Sequence, residues 1–299
     1  MMVEPKPILK SDTCNRLRIR EIAHADVTTV IDLLAKGFPN PRRFWDVGLG
    51  RLQTRSVPPD TPRYGYLLEA DGRPVGALLV ISSVRQRGDR EVLFSNLSSW
   101  YVEAAFRMYA PLLHKRAIAN ERVTYLNLSA ATHTQSTIEA YGFRRYSNGQ
   151  VAALLALARN RQGGRVRIVD ASGFGDCDLE EGERRLLLAQ AAYGCITFCC
   201  AVRQRVRPFV FVPRLVRGSI PCAQLAYCRD IIDLVDVAGT VGRYLLRLGR
   251  PIVLIDAEGP IPGIPGKYFP EATPKYYRGT ELPVLGDMAE TEVTILGFE

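Results

Sequence analysis

Apolar and polar residues alternate from Leu17 to Ile22, the period of two expected of a short strand. Asp26 then stands where a helix cap belongs. Val27, Val30, Ile31 and Leu34 recur at helical spacing as far as about Ala35, with Gly37 just beyond. After Pro39 and Pro41 a weaker helical pattern runs from Arg43 to about Arg55, and Pro58, Pro59 and Pro62 mark a loop. Tyr64 to Ala70 and Arg73 to Ser83 read as strands joined by Asp71-Gly72, a dipeptide that accepts the positive φ of a tight hairpin turn. A strand is expected over Glu91 to Val102, and a helix from about Arg107 to Ala119. A strand from Val123 to Ser129, a short helix from Thr134 to Tyr141 and an apolar strand from Val151 to Ala158 follow.

The polar, glycine-containing stretch Arg159 to Arg165 separates this run from a second one of similar order. Val166 to Val169 predicts a strand, and Glu180 to Ala192 a helix with acidic residues in its first turn, where the helix dipole favours them. Tyr193-Gly194 opens a strand as Tyr64-Gly65 does, and Arg207-Pro208 opens the returning strand as Arg73-Pro74 does. Ala223 to Cys228 predicts a strand, Ala238 to Leu248 a helix, Pro251 to Asp256 a strand and Glu290 to Leu296 a closing strand. The proline-rich Gly259 to Phe269 stands where the first half has its penultimate helix. The repeated order predicts a duplicated, mixed α/β fold of the α+β type. Two tandem domains, 1–158 and 165–299, would be joined by a linker at 159–164, each a mostly antiparallel twisted sheet flanked by helices.

Composition narrows the class. At 47% hydrophobic and 23% charged over 299 residues the chain is globular, which excludes disorder, collagen and coiled coil for its bulk. The formal charge of +8 is uneven: residues 1–158 hold 21 basic and 14 acidic side chains, residues 159–299 hold 18 and 17. A basic excess attracts phosphorylated cofactors, nucleic acid and acidic surfaces alike. No run of five like charges appears, which argues against a nucleic-acid-binding arm. The seven cysteines include no CxxC and fit reduced, buried thiols, and no metal site is expected. Leu186 to Val202 is free of charge for 17 positions, short of the roughly 20 residues of a spanning helix, so no membrane span is expected. Met1 to Lys10 has no apolar leader core, and a cytoplasmic location is expected.

Strand, one or two helices, a three-strand meander, helix, strand, helix, strand is the order of the GNAT superfamily of acyl-CoA N-acyltransferases, which both halves resemble. In that family the fourth strand ends in a [Q/R]-x-x-G-x-[G/A] loop whose backbone N–H groups, at a helix N-terminus, hold the cofactor's pyrophosphate. The matching stretch is Val102 to Leu112. Arg107 keeps the basic position, Ala110 and Leu112 replace the small residues, and Pro111 removes an N–H. Gly142-Phe143 is present, but Ile138 stands where the family often has its tyrosine acid, and Tyr141 is too close to replace it. In the second half the matching helix start, Asp236 to Gly242, keeps glycines and has a carboxylate at the basic position.

The resemblance implies acetyl-CoA or another acyl-CoA as cosubstrate and a small-molecule or peptide amine as acceptor. It implies that Arg107 and the amides of Met108, Tyr109 and Ala110 face the phosphates, and that Tyr101 and Val102 line the pantetheine arm. Asn127 would hydrogen-bond the cofactor amide, and Glu103 would take the amine's proton. Glu103 also reads as a solvated loop carboxylate, and Asn127 as an ordinary polar residue of a strand face. A catalytically inactive GNAT-like binding module is the alternative, since neither loop keeps the full pattern. Other chemistries find no support. Gly266-Lys267 lacks the P-loop glycine, Gly173-Phe-Gly175 lacks the third dinucleotide glycine, no Gly-x-Ser-x-Gly occurs, and His133 stands alone.

Overall fold

The computed structural model describes residues 16–161, 166–202 and 205–297. Cys14 and Met1 to Lys10 lie outside the described residues, as do residues 162–164 of the expected linker and Phe298. The first half holds strands β1 (Leu17–Glu21), β2 (Gly65–Ala70), β3 (Arg73–Arg87), β4 (Arg90–Val102), β5 (Thr124–Asn127) and β6 (Arg144–Ala153). Its helices are α1 (Val27–Gly37), α2 (Arg42–Thr54), α3 (Ala110–Ala117) and α4 (Gln135–Ala140). The second half holds β7 (Arg167–Asp170), β8 (Ile196–Val202), β9 (Arg205–Val216), β10 (Ile220–Tyr227), β11 (Ile252–Ala257) and β12 (Gly266–Arg278). Its helices are α5 (Glu181–Ala192), α6 (Ile231–Arg247) and α7 (Glu292–Ile295).

All twelve strands form one sheet, ordered β1-β2-β3-β4-β5-β12-β6-β11-β10-β9-β8-β7. The pairs β4–β5 and β10–β11 are parallel and every other pair is antiparallel, so each half is a meander followed by a crossover connection through a helix. The halves exchange their last strands. β6, which closes the first half in sequence, pairs with β11 of the second, and β12 inserts between β5 and β6. Helices cover both faces. Leu113 and Ile138 carry α3 and α4 onto one face of the first half, with Leu78, Val80 and Leu97 beneath them. Val30, Leu34, Trp45 and Leu49 carry α1 and α2 onto the other, over Leu67, Leu79 and Ile81.

Three expected elements differ. The apolar stretch 151–158 is the end of β6 followed by a 3-10 turn at Leu155–Leu157, because the strand pairs from Arg144 onward and leaves the sheet after Ala153. The stretch 290–296 is the short helix α7, capped by the Thr291 hydroxyl, which accepts from Val293 N at 3.3 Å. Seven residues are too few to separate a period of two from 3.6. The proline-rich segment leads into β12, which begins at Gly266 and itself carries Pro270 and Pro274. Prolines are tolerated there because its first part reaches beyond the end of β5 as an edge, with register shifts around Lys275 and positive φ at Glu271 and Thr273.

The two glycines of 236–242 are explained by packing. α6 is broken at Val237 (φ −120°, ψ 15°), and beyond the break it lies against the 3-10 turn 155–157. A Cβ on Gly242 would overlap the backbone of Leu155 and Ala156, and one on Gly239 the carbonyl of Ala158. Gly50, inside α2, has open space around it. Gly242→Ala is therefore expected to destabilise the protein by about 1–3 kcal/mol through overpacking. Gly50→Ala should stabilise it by about 0.5–1 kcal/mol by restricting the unfolded chain. Urea denaturation midpoints of the two variants, which should move in opposite directions, check both.

Candidate active site

Parallel pairing between β4 and β5 covers only Phe94 with Thr124, Ser95 with Tyr125 and Asn96 with Leu126. β4 runs on to Val102 while β5 ends at Asn127, so the strands fork and the later peptide groups of β4 have no strand partner on that side. A bulge sits at the fork, where Ser99 (φ 54°) and Trp100 together oppose Leu78 of β3. Pairing with Ile81 and Leu79 puts Asn96 and Ser98 on the α1/α2 face. The extra residue returns Tyr101 to that face and leaves Trp100 and Val102 on the α3/α4 face.

The fork is spanned by the C-terminal segment. Glu292 N donates to Asn96 Oδ1 at 2.7 Å, Ser129 Oγ donates to Glu292 Oε1 at 2.9 Å, and Ser98 Oγ donates to Glu292 Oε2. Burial pushes the Glu292 carboxyl above the usual carboxylate range, opposed by the Ser98 and Ser129 hydroxyls and by the Lys275 ammonium. The segment is anchored on both sides. Upstream, Met288 N donates to Ala226 O at 2.7 Å, and Asp287 pairs with Arg85 at 3.0 Å and Arg87 at 2.6 Å. Downstream, Ile295 and Leu296 enter the α1/α2 core.

The residues expected at a cofactor site are not all brought together. Tyr101 packs on Gly37 of α1, while Val102 is buried on the opposite face. Glu103, the expected base, is paired with Arg73 Nη1 at 2.8 Å at the edge of the meander. Arg107, Met108 and Tyr109 lie in a 3-10 turn, Ala104–Tyr109, where Arg107 is exposed and Met108 is 74% exposed. The Ala110 amide donates to Arg107 O inside that turn. Beyond it the first turn of α3 carries no side-chain cap, and Leu112 beside it is half exposed. Asn127 is the first residue of β5 past the fork. His133 is exposed on the 3-10 turn before α4. The sequence reading missed Asn96, Ser98 and Glu292. Polar residues in an otherwise apolar central strand were the available signal for the first two. Nothing local marks Glu292, which meets them across 194 to 196 residues of chain.

Between α3 and α4 the same face is filled by rings. His114, 1% exposed, stacks on Tyr141 at 4.3 Å and lies 4.9 Å from Trp100, and neither imidazole nitrogen has a hydrogen-bond partner. Burial, helped by the Arg278 charge, pulls its pKa down to about 4.

The second half is closed where the first is open. α6 resumes at Ala238, as α3 starts at Ala110, but Asn160 Oδ1 accepts from Thr240 N at 3.1 Å and Asn160 Nδ2 donates to Thr240 Oγ1 at 2.9 Å. The connecting segment thus caps the helix turn at which an anion would bind. Asp236 is engaged by the buried Arg207 at 3.1 Å. The fork after β10 is occupied by residues 286–288, with Cys228 N donating to Gly286 O at 2.9 Å. Cys177, Cys199, Cys200, Cys222 and Cys228 are buried and unpaired, and burial pushes the Cys199 thiol up to about 12, which leaves it unreactive. Among the described residues no group of His, Cys, Asp and Glu could hold a metal ion, and no helix is long and apolar enough to cross a membrane.

No family model and no curated protein matches the sequence. Solved structures do match the fold. A putative acetyltransferase from Pyrococcus horikoshii is similar with a TM-score of 0.53 and 13% identity, over 99% of this chain and 97% of that one. A GCN5-related N-acetyltransferase from Anabaena variabilis is similar with a TM-score of 0.56 and 11% identity, over 88% and 72%. Eis1 from Mycobacterium abscessus is similar with a TM-score of 0.51 and 10% identity, over 88% and 73%. The likeness is one of fold, and this chain has the fold of these acetyltransferase structures.

His114 yields a pH prediction. Its folded-state pKa near 4 lies below the unfolded value of 6.5, so the unfolded chain binds the extra proton between them. Stability from this site is present above pH 6.5 and lost as pH falls towards 4. His114→Phe, which keeps a ring in the stack, should flatten that part of the stability profile, measured by urea denaturation at pH 7 and 4.5. Equal pH sensitivity in both proteins would contradict it.

Proposed function

We propose that the chain is an acyl-CoA-dependent N-acyltransferase with residues 1–158 forming the cosubstrate-binding domain. Residues 165–299 would form a cofactor-free partner domain that delivers the C-terminal segment. The observation that carries this reading is the β4–β5 fork. It has an uncapped helix N-terminus on one face and a hydrogen-bonded carboxylate, Glu292, on the other.

Acyl-CoA would supply the activated acyl thioester. Arg107 and the first turn of α3 offer the phosphates a cation and the positive end of a helix dipole. The basic excess of residues 1–158 favours the same anion over long range. Peptide N–H groups of β4 past Asn96, unpaired on the fork side, are the donors available to a developing oxyanion. Glu292 is the base. Its carboxylate is fixed by Ser98 and Ser129, and burial raises its affinity for a proton. The proton of the attacking amine goes to a carboxylate oxygen of Glu292, from the face opposite the cosubstrate.

A second reading, a GNAT-like module that binds without catalysis, is favoured by the Glu292 plug itself and by the missing glycines of the α3 turn. Titration calorimetry with acetyl-CoA and longer acyl-CoAs should show one site per chain, weakened about tenfold by Arg107→Ala through loss of a charge-assisted contact. Glu292→Gln, which accepts from one serine and can donate to the other, should leave that affinity unchanged and lower acyl transfer to amines by roughly 10²–10⁴-fold. Absence of acyl-CoA binding removes the proposal. Binding with no CoA release, for any amine tested with the unmodified protein, selects the non-catalytic module.

A further inference from the structure

A cavity of about 300 Å³ opens on the α1/α2 face, lined by Arg43, Phe44, Val47 and Arg51 of α2, by Tyr193–Cys195, by Val212-Pro213 and by Thr294, Leu296 and Gly297. Four features define it. It contains two arginines and no acidic side chain, so its charge is uncompensated. Phe44, Tyr193 and Leu296 give it an apolar and aromatic wall, while Arg51 is locked beneath by donating to Ile295 O at 2.9 Å and Tyr193 O at 2.7 Å. Arg43 is exposed and Val47 half exposed on the same stripe of α2. Finally, the cavity shares the C-terminal segment with the fork. A helix rises about 1.5 Å per residue, so Thr294 and Leu296 lie roughly 3–6 Å along the axis from Glu292.

We infer that this cavity is the acceptor site and that its ligand is a small amine which also carries an oxyanion, carboxylate or phosphate, on an apolar or aromatic body. The inference rests on the acyltransferase reading for the word acceptor, but the site and its ligand chemistry stand on the cavity alone. Arg43 and Arg51 would neutralise the oxyanion and the ring wall would hold the body. The amine, within a few bonds of the oxyanion, would then point along α7 towards the Glu292 carboxylate. The volume admits a ligand of amino-acid size.

The probes are phenylalanine, phenylalaninamide and phosphoethanolamine, titrated calorimetrically into the full chain, its Arg43→Ala variant and its Val47→Trp variant, each also titrated with acetyl-CoA. Phenylalanine or phosphoethanolamine should bind. Phenylalaninamide should bind at least about tenfold more weakly, for want of a charge-assisted pair. Arg43→Ala should weaken the oxyanion ligand about tenfold and leave the amide unchanged. Val47→Trp, on an exposed position that does not enter the core, should abolish binding of all three and leave acetyl-CoA affinity as it was. The proposal is overturned if neither oxyanion amine binds, if the amide binds as well as the acid, or if both variants bind like the parent. Acetyl-CoA binding without amine binding removes this site and leaves the acyltransferase reading. Amine binding without any acyl-CoA binding does the reverse.

Discussion

The exchange of β6 and β12 is the constraint on which the rest of the structure depends. A strand's N–H and C=O groups must be paired when buried, and neither half supplies enough strands to pair its own. β5 ends against β12, which arrives from the far end of the chain, and β11 ends against β6, which belongs to the first half in sequence. The two strands also carry buried charge through the middle of the sheet. Gln150 of β6 donates to Asp256 of β11 at 2.8 Å, and Lys275 of β12 donates to Leu128 O at 3.2 Å, with Asp256 3.7 Å away. Such groups are costly to desolvate and contribute little net stability, but removing one partner leaves an unpaired charge, so they penalise any other register.

From that exchange the asymmetry of the halves follows. The chain must leave β6 and cross to the second half, and the crossing segment, 155–161, runs over the start of the resumed α6 helix. Gly239 and Gly242 allow the close approach, and Asn160 satisfies Thr240 N. The anion site of the second half is therefore spent on the connection. Among the described residues no side chain caps α3, and that helix end lies on the half that also holds the basic excess.

Much of this was legible in the sequence, and the failures share a cause. The strands and helices of the meanders follow from period and turn residues, as at Leu17–Glu21, Val27–Gly37 and the Asp71-Gly72 hairpin. What could not be read were features set by distant chain. β12 looks like a proline loop until β5 and β6 flank it. Glu103 looks free until Arg73 is folded beside it, and Gly239 and Gly242 resemble a phosphate loop until the turn at 155–157 is laid across them. Glu292 is the extreme case, an unremarkable carboxylate whose partners are contributed by β4 and by the segment after β5.

The same exchange makes a base on the C-terminal segment physically reasonable. β12 returns the chain to the centre of the sheet, so the residues after it must pass over one face on their way to the surface. They pass the fork after β10 first, where Arg85 and Arg87 close on Asp287 and Arg85 Nη1 donates to Asp287 O at 2.8 Å. That clamp fixes the direction in which the chain leaves, and five residues later Glu292 falls into the fork after β4. The carboxylate is placed by a buried ion pair and three hydrogen bonds rather than by a mobile loop, which is the kind of rigid support a catalytic group requires. Docking of the tail and assembly of the site are then one event. Until β12 is seated between β5 and β6, the β4–β5 fork has neither its carboxylate nor the wall that Thr294 and Leu296 give to the neighbouring cavity.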